Sequence, residues 1–135
     1  MGIQAEELKA RTKRFALNAM ALVDRLPRTR PNDYLALQFL RAANAVASNY
    51  RAACRARSRA EFASKMGIVA EEADESAHWL EMVSERGGVI PPELSKLLAE
   101  AHELEAIFSA SYGTARRNIA ARSGLNEKPR NSRPG

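Results

Sequence analysis

The chain has 135 residues, 45% of them hydrophobic, and a formal net charge of +5. That length fits one domain with a real core, and no apolar run approaches the roughly 20 residues that span a bilayer, so we expect no membrane partner. The one cysteine, Cys54, excludes an internal disulfide, and the N-terminus has no apolar signal core. Both features predict a cytoplasmic protein.

The first half of the chain predicts two helices. Leu8, Phe15 and Leu22 recur every seven residues and mark the buried face of a helix over residues 3–26. Two prolines in the connector LPRTRP end it, because proline cannot continue a helix interior. The second helix is predicted to begin near Asn32 or Asp33, which are good N-cap residues, and to end near residue 55. Its broad, alanine-rich apolar face indicates packing against two or three neighbours.

The second half predicts two more helices and a tail. The run SRAE, residues 58–61, is a capping box that begins a third helix over residues 59–86, and two glycines end it. Two prolines then open a fourth helix, in which apolar residues repeat every three or four positions. Residues 123–135 are predicted to be a disordered basic tail. Short connections between four helices predict an all-α, up-down-up-down antiparallel four-helix bundle over residues 1–122.

Motifs in the first three helices resemble one bacterial family. The run LALQFLRA, residues 35–42, is similar to a family motif of the form Leu-x-x-Gln-x-Arg-Arg-Ala that follows a proline. Further residues fall in step with the family pattern without gaps, namely Asn49, Arg57, Ser58, Glu61 and Phe62. The chain departs from the pattern at Ala52-Ala53, where the family has Glu-Gly.

These motifs identify the chain as similar to the four-helix bundle proteins, and the resemblance covers roughly residues 15–85. That group includes ribosomal RNA intervening-sequence proteins and retroelement accessory variability proteins. The resemblance implies a non-enzymatic bundle, often a homopentamer, with nucleic-acid or reverse-transcriptase association in one branch. A role tied to the family's glutamate is not implied here, because alanine replaces it.

Charge is segregated along the chain. Residues 1–31 carry seven basic and three acidic side chains, residues 32–59 five and one, residues 60–112 three and eleven, and residues 113–135 six and one. Such a pattern suits a nucleic acid, an anionic membrane surface or another copy of the chain. The densest basic cluster, and the predicted nucleic-acid or partner site, is Arg51, Arg55, Arg57 and Arg59.

Arginine binds phosphate bidentately, so this cluster fits a nucleic-acid backbone. Little aromatic interleaving accompanies it, and the sequence therefore predicts backbone contact without base reading. The equally weighted alternative is structural: the arginines end the second helix and pair with carboxylates of the third.

Three motifs that suggest chemistry have plainer explanations. Glu75 and His78 form one Glu-x-x-His unit, but a di-iron bundle needs two, and the residue three before His102 is an alanine, so no metal site is predicted. The acidic run at 71–75 fits a solvated face or pairs with Arg41 or Arg51 better than acid–base catalysis. Cys54 lies on an apolar face with no histidine nearby, which favours a structural role.

The sequence thus predicts no enzyme, no cofactor and no small-molecule substrate. It favours a homo-oligomeric scaffold or binding module for RNA or DNA backbone, pentameric as the resemblance implies, with a reverse transcriptase as a candidate partner. The alternative is a protein–protein adaptor whose basic patch meets an acidic patch on another subunit or protein.

Overall fold

The computed structural model describes the backbone of residues 2–131 and the side chains of residues 2–122. In this part of the chain four helices follow one another: α1 (Ile3–Asp24), α2 (Arg30–Ala53), α3 (Arg59–Arg86) and α4 (Leu94–Asn131). Each helix packs against the next, which confirms the predicted all-α, up-down-up-down bundle. In the predicted disordered tail, 123–135, the backbone continues α4 as far as Asn131, the side chains and residues 132–135 lie outside the described part, and the disorder stays a prediction.

Capping chemistry sets the helix boundaries. Ser58 Oγ accepts the amide of Glu61 at 3.0 Å, and α3 has the predicted bounds. The predicted start of α2 at Asn32 or Asp33 is wrong, because Thr29 is the cap and its hydroxyl accepts the amide of Asn32. Pro31 therefore lies inside the first turn of α2, where the amide hydrogen that proline lacks would have no helical partner.

The core is built from the predicted apolar faces. Phe15 of α1 meets Phe39 of α2 edge-on, with ring centroids 6.1 Å apart, and Tyr50 lies 5.2 Å from Phe108 of α4. Edge-to-face and tilted aromatic pairs of this kind add to the stabilisation from burial. Other fully buried side chains come from every helix: Leu22, Val46, Met66, Val69, Leu80 and Leu104.

The contact between α1 and α4 is the loosest in the bundle. A cavity of about 630 Å³ separates the two helices, with Phe15 and Leu22 on its apolar floor. Ion pairs close it: Arg11 contacts Glu100 and Glu103 at 2.7 and 2.8 Å, and Arg25 pairs with Glu93. Ion pairs thus add to the loose apolar packing between the first and last helices.

Candidate nucleic-acid interface

The turn between α2 and α3 is tight and carries Arg55 and Arg57, two of the four arginines of the predicted site. After α2 ends at Ala53, the amides of Arg55 and Ala56 bond to carbonyls three residues back, each at 3.0 Å. Ser58 then caps α3, so few residues separate the two helices. Connecting segments run over the protein surface, and the two arginines of this turn are exposed.

All four arginines of the predicted cluster, Arg51, Arg55, Arg57 and Arg59, are exposed. None of them has a carboxylate oxygen within 4.0 Å among the described side chains, whereas Arg11, Arg25, Arg28 and Arg41 are each paired. The sequence explains the difference, since no acidic residue lies between Asp33 and Glu61. The structural alternative, in which the cluster pairs with α3 carboxylates, is therefore absent from the described residues.

The structure divides the cluster into two basic surfaces. Arg51 and Arg55 border a groove of about 780 Å³ between α1 and α2, together with Lys9 and Lys13 of α1. We call this the α1–α2 groove. Lys9 is paired with Glu6 at 2.6 Å, so Lys13 is the lysine there without a described ion-pair partner. Sequence reasoning missed both lysines, although their spacing of four residues signals a shared helix face.

Arg57 and Arg59 line a different cavity, of about 790 Å³, between the α2–α3 turn and α4. We call it the turn cavity. Cys54, Phe62 and neutral polar side chains of α4 also line it. Cys54 is only half-buried, so its predicted burial on the apolar face is partial. The four arginines, although close in sequence, therefore lie in two separate concavities.

The acidic face of α3 is partly neutralised from α2, as one of the sequence alternatives predicted. Arg41 donates to Glu72 at 3.2 Å and to Glu75, so Arg41, and not Arg51, is the partner of these carboxylates. Burial raises the pKa of Glu72, while the Arg41 charge opposes that rise. The indole of Trp79 donates to Glu75 at 3.2 Å. This network orders the α2–α3 face and leaves Glu72 and Glu75 engaged.

The histidines lie on the outer surface of the bundle. His78 is exposed, with its ring centroid 4.8 Å from that of Trp79, and His102 lies 3.6 Å from Glu105. The described side chains contain no group of three or more histidine, cysteine or acidic residues that could hold a metal ion. Burial and the neighbouring Asp74 raise the pKa of Glu105. This pair of carboxylates is a local point of repulsion between α3 and α4.

Comparisons with known proteins agree with this architecture. A family model for "23S rRNA-intervening sequence protein" matches residues 6–110. A crystal structure of a protein of unknown function from the S23 ribosomal protein family of Bacteroides thetaiotaomicron is similar, with a TM-score of 0.72 and 22% identity over 82% of this chain and 99% of that one. At that identity the likeness shows the fold alone. A search of curated proteins gives no match. None of the described helices is long and apolar enough to cross a membrane.

Proposed function

This chain belongs to the 23S rRNA-intervening sequence protein family, and from that premise we propose that it is a non-enzymatic binding module for the phosphate backbone of RNA or DNA. The observation that carries the proposal is the set of four exposed arginines that have no carboxylate partner among the described side chains. Unpaired guanidinium groups bind phosphate oxygens without first giving up an internal ion pair. The cytoplasmic location expected from the sequence belongs to this proposal.

Self-association would multiply this basic surface. We propose a homo-oligomer, with five copies as the family resemblance implies and a reverse transcriptase as one candidate partner. Large apolar side chains that remain exposed on α1 and α2, namely Leu17, Met20 and Leu37, support an interface between copies. Each added copy brings its own arginines to the same polyanion, so affinity rises through multivalency without any new type of contact.

Fluorescence anisotropy of labelled RNA and DNA across a salt series tests the proposal. The observed log affinity should fall linearly with log salt, and the double variant Arg55→Gln with Arg57→Gln should flatten that slope by roughly 0.7–0.9 for each phosphate that the protein no longer neutralises. Arg28→Gln is the matched control, because Arg28 is exposed and already pairs with Asp33 at 2.8 Å. No binding at about 50 mM salt would reject the proposal.

The protein–protein adaptor remains the second candidate, favoured by the acidic surface of α3. In that case the basic surfaces meet carboxylates of another subunit or protein, and Arg55→Glu or Arg57→Glu should dissociate the oligomer. Light scattering distinguishes the two candidates, because a nucleic-acid module should keep its subunit number when one arginine is reversed and lose only affinity for nucleic acid.

A further inference from the structure

The turn cavity differs from the other concave surfaces in its charge. Three other cavities each have at least one carboxylate in their lining: Glu93 in the cavity between α1 and α4, Asp33 in the one beside the α1–α2 connection, and Glu6 in the α1–α2 groove. Among the described side chains, the lining of the turn cavity has none, and it includes both Arg57 and Arg59. A concavity with two cations and no anion favours an anionic ligand.

The rest of the lining adds the features of an organic ligand site. Phe62 supplies an aromatic ring, and alanines from α2 and α4 supply apolar surface. Ser111 and Asn118 of α4 supply a hydroxyl and an amide, each able to donate and to accept a hydrogen bond. The volume of about 790 Å³ lies within the roughly 300–1,000 Å³ range of small-molecule sites. The two cations suit the phosphate of a nucleotide, the aromatic ring suits the face of its base, and the amide suits the hydrogen-bonding edge of that base.

We propose that the turn cavity binds one unpaired nucleotide, with its phosphate at Arg57 and Arg59 and its base against Phe62. This inference rests on the proposed function and deepens it, since it adds base contact to backbone contact. A base inside a duplex is stacked between its neighbours and cannot enter the cavity, so the site selects single-stranded segments or strand ends. The amide of Asn118 is the group placed to hydrogen-bond the base edge.

The test uses the full chain and three labelled probes of one sequence: a single-stranded RNA of about 12 nucleotides, the same RNA in a blunt duplex, and the corresponding single-stranded DNA. We expect the single strands to bind about tenfold more tightly than the duplex at one salt concentration. Phe62→Leu should lower single-strand affinity about fivefold, which is the low end of the effect of removing a stacking aromatic ring, and should leave duplex affinity unchanged.

Two variants and a control keep the result interpretable. Because Phe62 also packs against the core, Asn118→Ala provides a second probe at an exposed position, and circular dichroism checks that both variants fold. Lys13→Gln in the α1–α2 groove is the control for loss of one positive charge elsewhere. It should weaken single strand and duplex equally.

Competition separates the sources of the nucleotide. Adenosine monophosphate that displaces the single strand identifies a free nucleotide as a ligand, whereas displacement by unlabelled oligonucleotide alone identifies a nucleotide within a chain. Displacement by inorganic phosphate at the same concentration as the mononucleotide would overturn the proposal, because then the base contributes nothing. Equal losses for single strand and duplex in Phe62→Leu and Asn118→Ala would overturn it too, while leaving the arginine–backbone proposal intact. Absence of all binding would reject both.

Discussion

The bridge from Arg41 to two α3 carboxylates gives the sharpest prediction for stability. Arg41→Gln removes the cation that neutralises Glu72 and Glu75. The Glu72 side chain is only 15% exposed and that of Glu75 is 34% exposed, while Arg41 is 48% exposed. The loss should therefore exceed the 0.2–1 kcal/mol of a surface pair and stay below the 3–5 kcal/mol of breaking a fully buried pair. We expect about 1.5 kcal/mol, the low end for a hydrogen bond to a charged group.

Urea unfolding followed by circular dichroism measures this free energy, and the fluorescence of Trp79 reports on the same site through its bond to Glu75. At roughly 4 °C per kcal/mol for a chain of this size, the melting temperature should fall by about 6 °C. Arg28→Gln is the matched control: Arg28 is 87% exposed, so losing its pair with Asp33 should change the free energy of unfolding much less.

The loss of stability caused by Arg41→Gln should be larger at neutral pH than at acid pH. Burial raises the pKa of Glu72 in the folded chain, and removing Arg41 should raise that pKa further. A raised carboxyl pKa contributes stability that is present below the ordinary carboxyl range and is lost as pH rises through the folded pKa. The cost of Arg41→Gln should thus be full at pH 7 and shrink toward about pH 4.5. A cost no greater than that of Arg28→Gln, or one that does not change with pH, would refute this reasoning.

Three further predictions concern single positions. A Cβ added at Gly67 would lie 3.0 Å from a Tyr112 ring atom. Gly67→Ala should therefore lose much of the ~1 kcal/mol that alanine gains over glycine in a helix. In a Tyr112→Ala background the same substitution should recover that gain, and a double-mutant cycle by urea unfolding measures the coupling. Glu105→Gln removes repulsion from Asp74 and should stabilise the bundle at pH 7 by about a few tenths of a kcal/mol. This gain should fade as the pH falls through the raised pKa of Glu105, because the wild-type carboxyl is then uncharged as well, and thermal melts at several pH values measure the change. Ser58→Ala removes the α3 cap and should cost about 1 kcal/mol in urea unfolding, while Ser95→Ala at an exposed position of α4 should cost much less.

Features that depend on local sequence could be predicted, and features that depend on the path of another helix could not. The bounds of α3 follow from Ser58 and the glycine after Arg86, which act within one turn of the chain. The start of α2 differs from the prediction because Thr29, Asn32 and Asp33 are all good caps, and the helix uses Thr29, which places Pro31 in the first turn. Capping preference alone does not rank such neighbours.

The candidate site shows the same limit. The sequence identified the arginine cluster and indicated that Arg41 or Arg51 meets the acidic face of α3, but the choice of Arg41 depends on the register of α2 against α3. The separation of Arg55 from Arg57 into two concavities depends on where α1 and α4 cross the turn. No periodicity in the residues around 51–59 contains that information, because the neighbouring helices lie far away in sequence.

The charged seam between α1 and α4 should influence which part of the molecule opens first. Apolar contacts hold all four helices together, but the α1–α4 contact is the loosest, and α1 is fastened there in part through Arg11 and Arg25. Local opening follows the weakest attached segment, so amide protons of α1 should exchange with solvent sooner than those of α3. Dissolved salt screens ion pairs at the surface. A rise in salt concentration that releases a bound nucleic acid should therefore also weaken the attachment of α1 to α4.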